Sequence, residues 1–270
     1  GFLAFRKFRI PKEAILSRYI NVTKEGMITL QGNPKIAYGT MLLIRVTLLM
    51  YSKDALTYCL FITANYVLFR SQFKNLPGDS KERKLIDYQA TQHRVVKLLS
   101  LTYANVFAFN RCYKIYNKMR EEIKNDEFGL MKELHSLCCC FKAYFMEECL
   151  QGLKTARELC GAHGYSVHGG FEYLFEVKSP NVTLEGDAYV MFQQTARDIF
   201  KHLGKITKGK SAQHDFEYLN GVNTIVGKKL KNPDITDMNV LIEILKASAL
   251  LQYIRTANLL KSNNEISYQD

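Results

Sequence analysis

The chain has 270 residues, 47% of them apolar and 23% charged, with a formal net charge of +11. That length and apolar share supply a sizeable core for one large or two modest domains and exclude a low-complexity or disordered chain. The longest charge-free apolar stretch, between Asp54 and Arg70, falls short of the about 20 residues that a spanning helix needs, and no zinc-finger spacing or RNP-type motif turns the basic excess toward nucleic acid.

Residues 1–36 open with the alternation Phe2-Leu3-Ala4-Phe5-Arg6-Lys7-Phe8-Arg9-Ile10-Pro11, then carry turn residues at Gly26 and Gly32-Asn33-Pro34. This reads as the end of a β-rich region, too short for a stable sheet alone. The chain starts inside this pattern without an initiator Met, so partner strands are expected outside it. From Tyr38 the period changes. A long helix is predicted over 38–76, stopped by Pro77-Gly78, and a second over 81–124. A third is predicted over 128–160, where Leu130, Leu134, Leu137, Phe141, Phe145, Cys149, Leu153, Ala156 and Cys160 form one apolar face. A glycine-rich break, 161–170, precedes a fourth helix over 186–203. Four long helices with short connections predict a mainly α, antiparallel helical bundle with a short β remnant at its N-terminus. The basic stretch 206–235 reads as a solvated linker, and a fifth helix runs to about Lys261 with Asp234 or Thr236 as its cap.

Seven cysteines, three of them the run Cys138-Cys139-Cys140, show neither paired CxxC spacing nor a disulfide framework. No metal is expected, Cys138, Cys139 and Cys140 should be reduced and at least partly buried on the third helix, and the sequons at Asn21 and Asn181 should be unused.

Three stretches carry chemistry. In "TLEGDAYVMFQQTAR", Glu185 precedes Gly186 at a helix start, where an acid meets the positive end of the helix dipole. Asp187 is the better placed of the two for capping, and Thr183-Leu184 looks extended, which frees Glu185 to project into a cavity. In "CGAHGYSVHGG", Gly161 and Gly164 admit close backbone approach by a ligand, or simply cap a helix. In "FRSQF", Arg70 and Phe73 are three apart and share a helix face, so a guanidinium and a ring could clamp a phosphate and an adenine.

Taken in order, "GFLAFRKFRIPKEAILSRY", "YGTMLLIR", "FRSQF", "LIDYQATQHRVVKLLSLTYA", "ELHSL", "CGAHGYSVHGG" and "TLEGDAYVMFQQTAR" resemble the acyl-CoA oxidases, flavoenzymes of peroxisomal fatty-acid β-oxidation, and more distantly the acyl-CoA dehydrogenases. The resemblance is close from Gly1 to about Leu203 and looser over 236–270. It implies the end of a β-domain at 1–36, a four-helix bundle at 37–205, the linker at 206–235 and the start of a second helical domain at 236–270. It implies FAD as cofactor and a fatty acyl-CoA as substrate, oxidised to the trans-2-enoyl-CoA while O2 becomes H2O2. It makes Glu185 the base, sets Arg70, Phe73, Gly161 and Gly164 against the FAD of a neighbouring subunit in a homodimer, and places Arg45, also a cofactor-binding candidate, near the base. A base in such a site needs a raised pKa, for which Val182, Leu184, Val190 and Phe192 are the expected apolar surround. The location implied is peroxisomal, with mitochondria as the other choice. Ala162, Ala188 and Ser71 depart from the family pattern on the surface assigned to FAD, and the alternative function is a non-catalytic assembly subunit of a larger complex.

Overall fold

A computed structural model describes residues 1–17, 20–30, 35–225 and 233–262. Two short strands, β1 (Ile20–Val22) and β2 (Ile28–Leu30), form an antiparallel hairpin in which Val22 faces Ile28. The alternating stretch 2–10 is irregular and exposed rather than extended, because a strand needs a neighbour to satisfy its backbone. The Gly32-Asn33-Pro34 turn lies outside the described residues.

The helices are α1 (Lys35–Phe69), α2 (Gln89–Lys124), α3 (Gly129–Leu159), α4 (Gly161–Tyr165), α5 (Phe171–Lys178), α6 (Ala188–Ile206), α7 (Val222–Ile225) and α8 (Met238–Ser262). On α1 the buried side chains Leu42, Val46, Leu49, Ser52, Leu56, Cys59, Thr63 and Val67 recur every three or four residues, which puts them on one stripe. That stripe meets α2 and α3. The α1–α3 pairs rise together along both helices (Thr63 Oγ1 donates to the Ala156 carbonyl, Arg45 meets His135), so these helices run parallel. α2 runs against both, and Asn105 donates to Ser52 Oγ at 2.6 Å inside the seam. α6 descends the far side of α3: Ala188 and Met191 pack on Cys139 and Ala143, and Ser136 is bonded to Asp198 further along. The bundle is thus α1, α2 and α3 in mutual contact, with α6 laid on α3.

Several boundaries differ from the sequence expectations. α1 stops at Phe69, not near Pro77, because residues 70–73 pair with 83–85: Gln72 N–H donates to Arg83, Arg83 N–H to Phe73 and Leu85 N–H to Arg70. The same pairing delays α2 to Gln89. The glycine-rich break holds α4, and α5 follows it unpredicted. The stretch 206–235 is more than a solvated linker: Ala212 and Leu219 are buried with Ile199 of α6 and Leu250 of α8. Lys228, Lys229 and Lys231 lie outside the described residues. The cap of α8 is Asp237, which accepts from Asn239 N–H at 2.8 Å, while Asp234 forms a separate turn with Thr236. All seven cysteines are free thiols; Cys138 and Cys139 are fully buried and Cys140 is partly so. Burial pushes the Cys59 and Cys149 thiols up to about 12.

Candidate functional site

The stretch between α5 and α6 is a tight turn. Thr183 and Leu184 N–H groups both donate to the Pro180 carbonyl, and Gly186 N–H donates to Thr183. Thr183 and Leu184 are therefore turned, not extended as the sequence suggested. Asp187 ends the turn as N-cap of α6, its carboxylate accepting from Tyr189 N–H at 2.8 Å. This is the helix-terminal task that an acid performs at such a place, and it falls to Asp187 as expected. Glu185 is left out of it. No hydrogen bond or ion pair among the described residues engages its carboxylate.

Glu185 occupies the left-handed region at φ 59°, and Gly186 follows at φ 120°. A Cβ on Gly186 would lie 2.0 Å from Cε at the flexible end of Met191, which can turn aside, so it is the backbone at φ 120° that favours glycine here. Left-handed backbone at a non-glycine residue persists only where its surroundings hold it. Here two cations do so. Lys142, on α3 and fully buried, donates through Nζ to the carbonyls of Val182 (2.7 Å) and Gly186 (2.5 Å). Arg45, on α1 and also buried, donates through Nε to the carbonyl of Glu185 itself (3.2 Å). The Arg45 guanidinium also lies 3.3 Å from His135 Nδ1 and 3.8 Å from Cys139 Sγ. Burial, and then Arg45, lower the Lys142 ammonium to about 8, against the opposing pull of Asp187, Glu147 and Glu185. Burial and the same arginine hold His135 below its ordinary value.

The expected apolar wall is incomplete in this chain. Val182 packs against the main core, but Leu184, Val190 and Phe192 are exposed. They sit on the outward side of the turn and of α6, where α3 offers them nothing to pack on.

The second group of candidates lies at the other end of α1. Arg70 is exposed and lines an open cavity of about 390 Å3 with Tyr66, Phe69, Ser71 and His163. Tyr66 Oη lies 3.2 Å from His163 Nδ1, which ties α1 to the "GAHG" turn. Arg70 and Phe73 do not share a helix face, since both follow the end of α1; Phe73 has φ 64° and is largely exposed outside the cavity wall. The glycines also separate. Gly161 is exposed with open space where a Cβ would stand, whereas a Cβ on Gly164 would meet the Arg157 carbonyl oxygen at 2.1 Å. Gly164 is therefore required by packing against the end of α3. The donor set suits a dinucleotide: a free-standing guanidinium for phosphate, two rings for a base and open backbone at Gly161. Residues 45–69 of α1 span about 36 Å at 1.5 Å per residue. One chain thus holds Arg45 and Glu185 further from Arg70 than a single flavin dinucleotide reaches.

Lys142, His135, Tyr66 and His163 went unremarked in the sequence. The sequence does carry a signal for Lys142, which falls in register with Cys138, Cys139, Phe145 and Met146 on the buried side of α3. A lysine in that register has to find carbonyl or carboxylate partners.

Residues 38–200 match the family described as acyl-CoA oxidase, C-alpha1 domain. The chain is 31% identical over 220 residues to peroxisomal acyl-coenzyme A oxidase 1 of Phascolarctos cinereus, covering 82% of this chain and 33% of that protein. It is 31% identical over 277 residues to the enzyme of the same name from Arabidopsis thaliana, covering 98% of this chain and 40% of that protein. Among solved structures, Arabidopsis thaliana acyl-CoA oxidase 1 superposes with a TM-score of 0.84 at 29% identity, over 94% of this chain and 39% of that one. Acyl-CoA oxidase-1 of Caenorhabditis elegans, complexed with FAD and ATP, gives a TM-score of 0.79 at 27% identity, over 97% of this chain and 38% of that one. The chain spans about a third to two fifths of the length of the curated relatives it matches.

Proposed function

The chain belongs to the acyl-CoA oxidase family, and we propose that it serves FAD-dependent α,β-dehydrogenation of a fatty acyl-CoA to the trans-2-enoyl-CoA, with O2 reduced to H2O2. The observation that carries this reading is the turn at 182–187. It assigns capping to Asp187, fixes the backbone of Glu185 with two buried cations and gives the Glu185 carboxylate no hydrogen bond or ion pair among the described residues. A carboxylate so held is suited to remove a proton from carbon. Acyl-CoA oxidase-2 of Caenorhabditis elegans, bound with FAD, ascaroside-CoA and ATP, supports the substrate and cofactor classes.

In this reading Glu185 takes the α-proton of the thioester. When bound, FAD supplies the acceptor for the β-hydride and passes the electrons on to O2. Arg70, Phe73 and the open backbone at Gly161 would hold FAD, with His163 and Tyr66 beside them. Arg45 belongs to the base end: it grips the Glu185 carbonyl and stands far from the cavity at Arg70. The length of α1 between the two ends supports a homodimer in which the Arg70 end of one copy completes the site of the other. Exposed Tyr58, Phe61, Leu68 and Phe69 along that helix offer such a copy an apolar face. Peroxisomal relatives support a peroxisomal location. Residues 37–205 form the unit carrying the base, and 236–262 open a second helical unit.

The test is Glu185→Gln in the intact protein. FAD content should be retained while anaerobic bleaching of the flavin band by acyl-CoA slows by about 10²–10⁴. Bleaching at the parent rate would remove Glu185 as the base.

A further inference from the structure

Lys142 has no place in the chemistry above, yet it is a fully buried cation pressed against the turn that carries the base. Burying an ammonium is unfavourable unless its donors are satisfied, and an apolar side chain would fill the same register of α3 without that cost. Its two acceptors are the carbonyls of Val182 and Gly186, which bracket Glu185 on either side. Between them lies the left-handed residue, inside the turn that the Gly186 N–H closes by donating to the Thr183 carbonyl. We propose that Lys142 is a positioning residue for the base: its ammonium ties Val182 and Gly186 together and so sets the direction in which Glu185 is presented. Arg45 holds the carbonyl of Glu185 from the α1 side, making the grip three-point. The inference rests on Glu185 as the base.

The test compares the parent with Lys142→Met, which keeps an unbranched stem and removes the ammonium, and with Lys142→Arg, which keeps a cation of different shape. Glu185→Gln is run beside them. Amide exchange of the 182–187 segment is measured together with FAD content, kcat and KM. In Lys142→Met, exchange of 182–187 should accelerate while that of α1 and α2 stays at the parent level. FAD content and KM should hold, and kcat should fall about 10-fold to 100-fold, as expected when a reacting group is misplaced by about 1 Å. Lys142→Arg should lie between the two, its kcat tracking the loosening of the turn. Parent-like exchange in Lys142→Met, or a loosened turn with parent kcat, overturns the proposal. If Lys142→Met does not fold, the same comparison in Lys142→Arg decides. A fully active Glu185→Gln would instead fail the base assignment, while exchange would still report whether Lys142 holds the turn.

Discussion

Replacing Gly164 by alanine separates two meanings of the "GAHG" turn, close approach of a cofactor and packing on α3. The new Cβ would stand 2.1 Å from the Arg157 carbonyl oxygen, 2.9 Å from its carbon and 3.1 Å from Cys160 Cβ. The obstacle is backbone in the last turn of α3, where the Arg157 carbonyl already accepts from Cys160 N–H, so no side-chain rotation relieves it. α4 has to move outward by more than about 1 Å to bring that Cβ from 2.1 Å to an ordinary contact of 3.4 Å, which places the cost near the upper end of overpacking, about 3 kcal/mol. For a domain of this size that lowers the melting midpoint by about 6–12 °C. Gly161→Ala meets open space and costs only the left-handed backbone at φ 56°, about 1 kcal/mol or about 2–4 °C. Thermal unfolding of the intact protein, with FAD content measured on the same samples, checks both. If Gly164→Ala melts with the parent and loses only FAD, Gly164 serves the ligand and the packing argument is wrong.

Asp187→Ala should cost about 1 kcal/mol through loss of the α6 cap, read as a lower unfolding midpoint. Thiol labelling of the native protein at pH 8 should leave Cys59, Cys138, Cys139 and Cys149 unmodified, and denaturation should release all seven thiols. Lys142 sheds its proton near pH 8 in the folded protein and at its ordinary 10.5 when unfolded, so the unfolded chain holds more protons between these values and folding gains as pH rises through them. The stability of the parent relative to Lys142→Met should therefore grow from pH 8 to 10.5; the difference cancels the opposite trend of the buried thiols, which unfold more readily once pH passes 9. Mixing inactive Glu185→Gln and Arg70→Ala chains and allowing exchange should restore about a quarter of parent activity, because each mixed dimer regains one intact site of two.

The long helices were legible because their burial is periodic. The stripe from Leu42 to Val67 and the α3 face from Leu134 to Cys160 follow the 3.6-residue repeat, and α3 matches its expected bounds within a residue at each end. The end of α1 and the start of α2 were not legible, since they are set by pairing of 70–73 with 83–85, a contact that no local pattern announces, whereas the end of α2 at Lys124 was. Helix α5 was hidden by the glycines before it, and the apolar residues Leu184, Val190 and Phe192 were read as buried though they face outward. That Asp187 rather than Glu185 caps α6 was legible. Of the cations beneath them, Arg45 was placed near Glu185 by the family resemblance, while Lys142 was missed because a lysine inside an apolar helix reads first as an exposed break in the stripe.

The two ends of α1 differ in character as well as position. At the base end, Arg45 and Lys142 are buried and spend their hydrogen bonds on backbone carbonyls of this chain, a finished piece of structure. At the other end, Arg70 and Phe69 stand in solvent at an open cavity, with Phe69 92% exposed and Phe73 exposed beyond its wall. Large exposed aromatics beside an unburied guanidinium at a helix end mark a surface that another body completes. A rigid helix packed along most of its length cannot fold these ends onto each other, so on the proposed reading one chain would carry the base apart from the residues that would hold FAD. In the proposed homodimer a second copy related by a two-fold axis would supply each missing half at once, and the helix that forms the core would also set the spacing of the proposed paired sites.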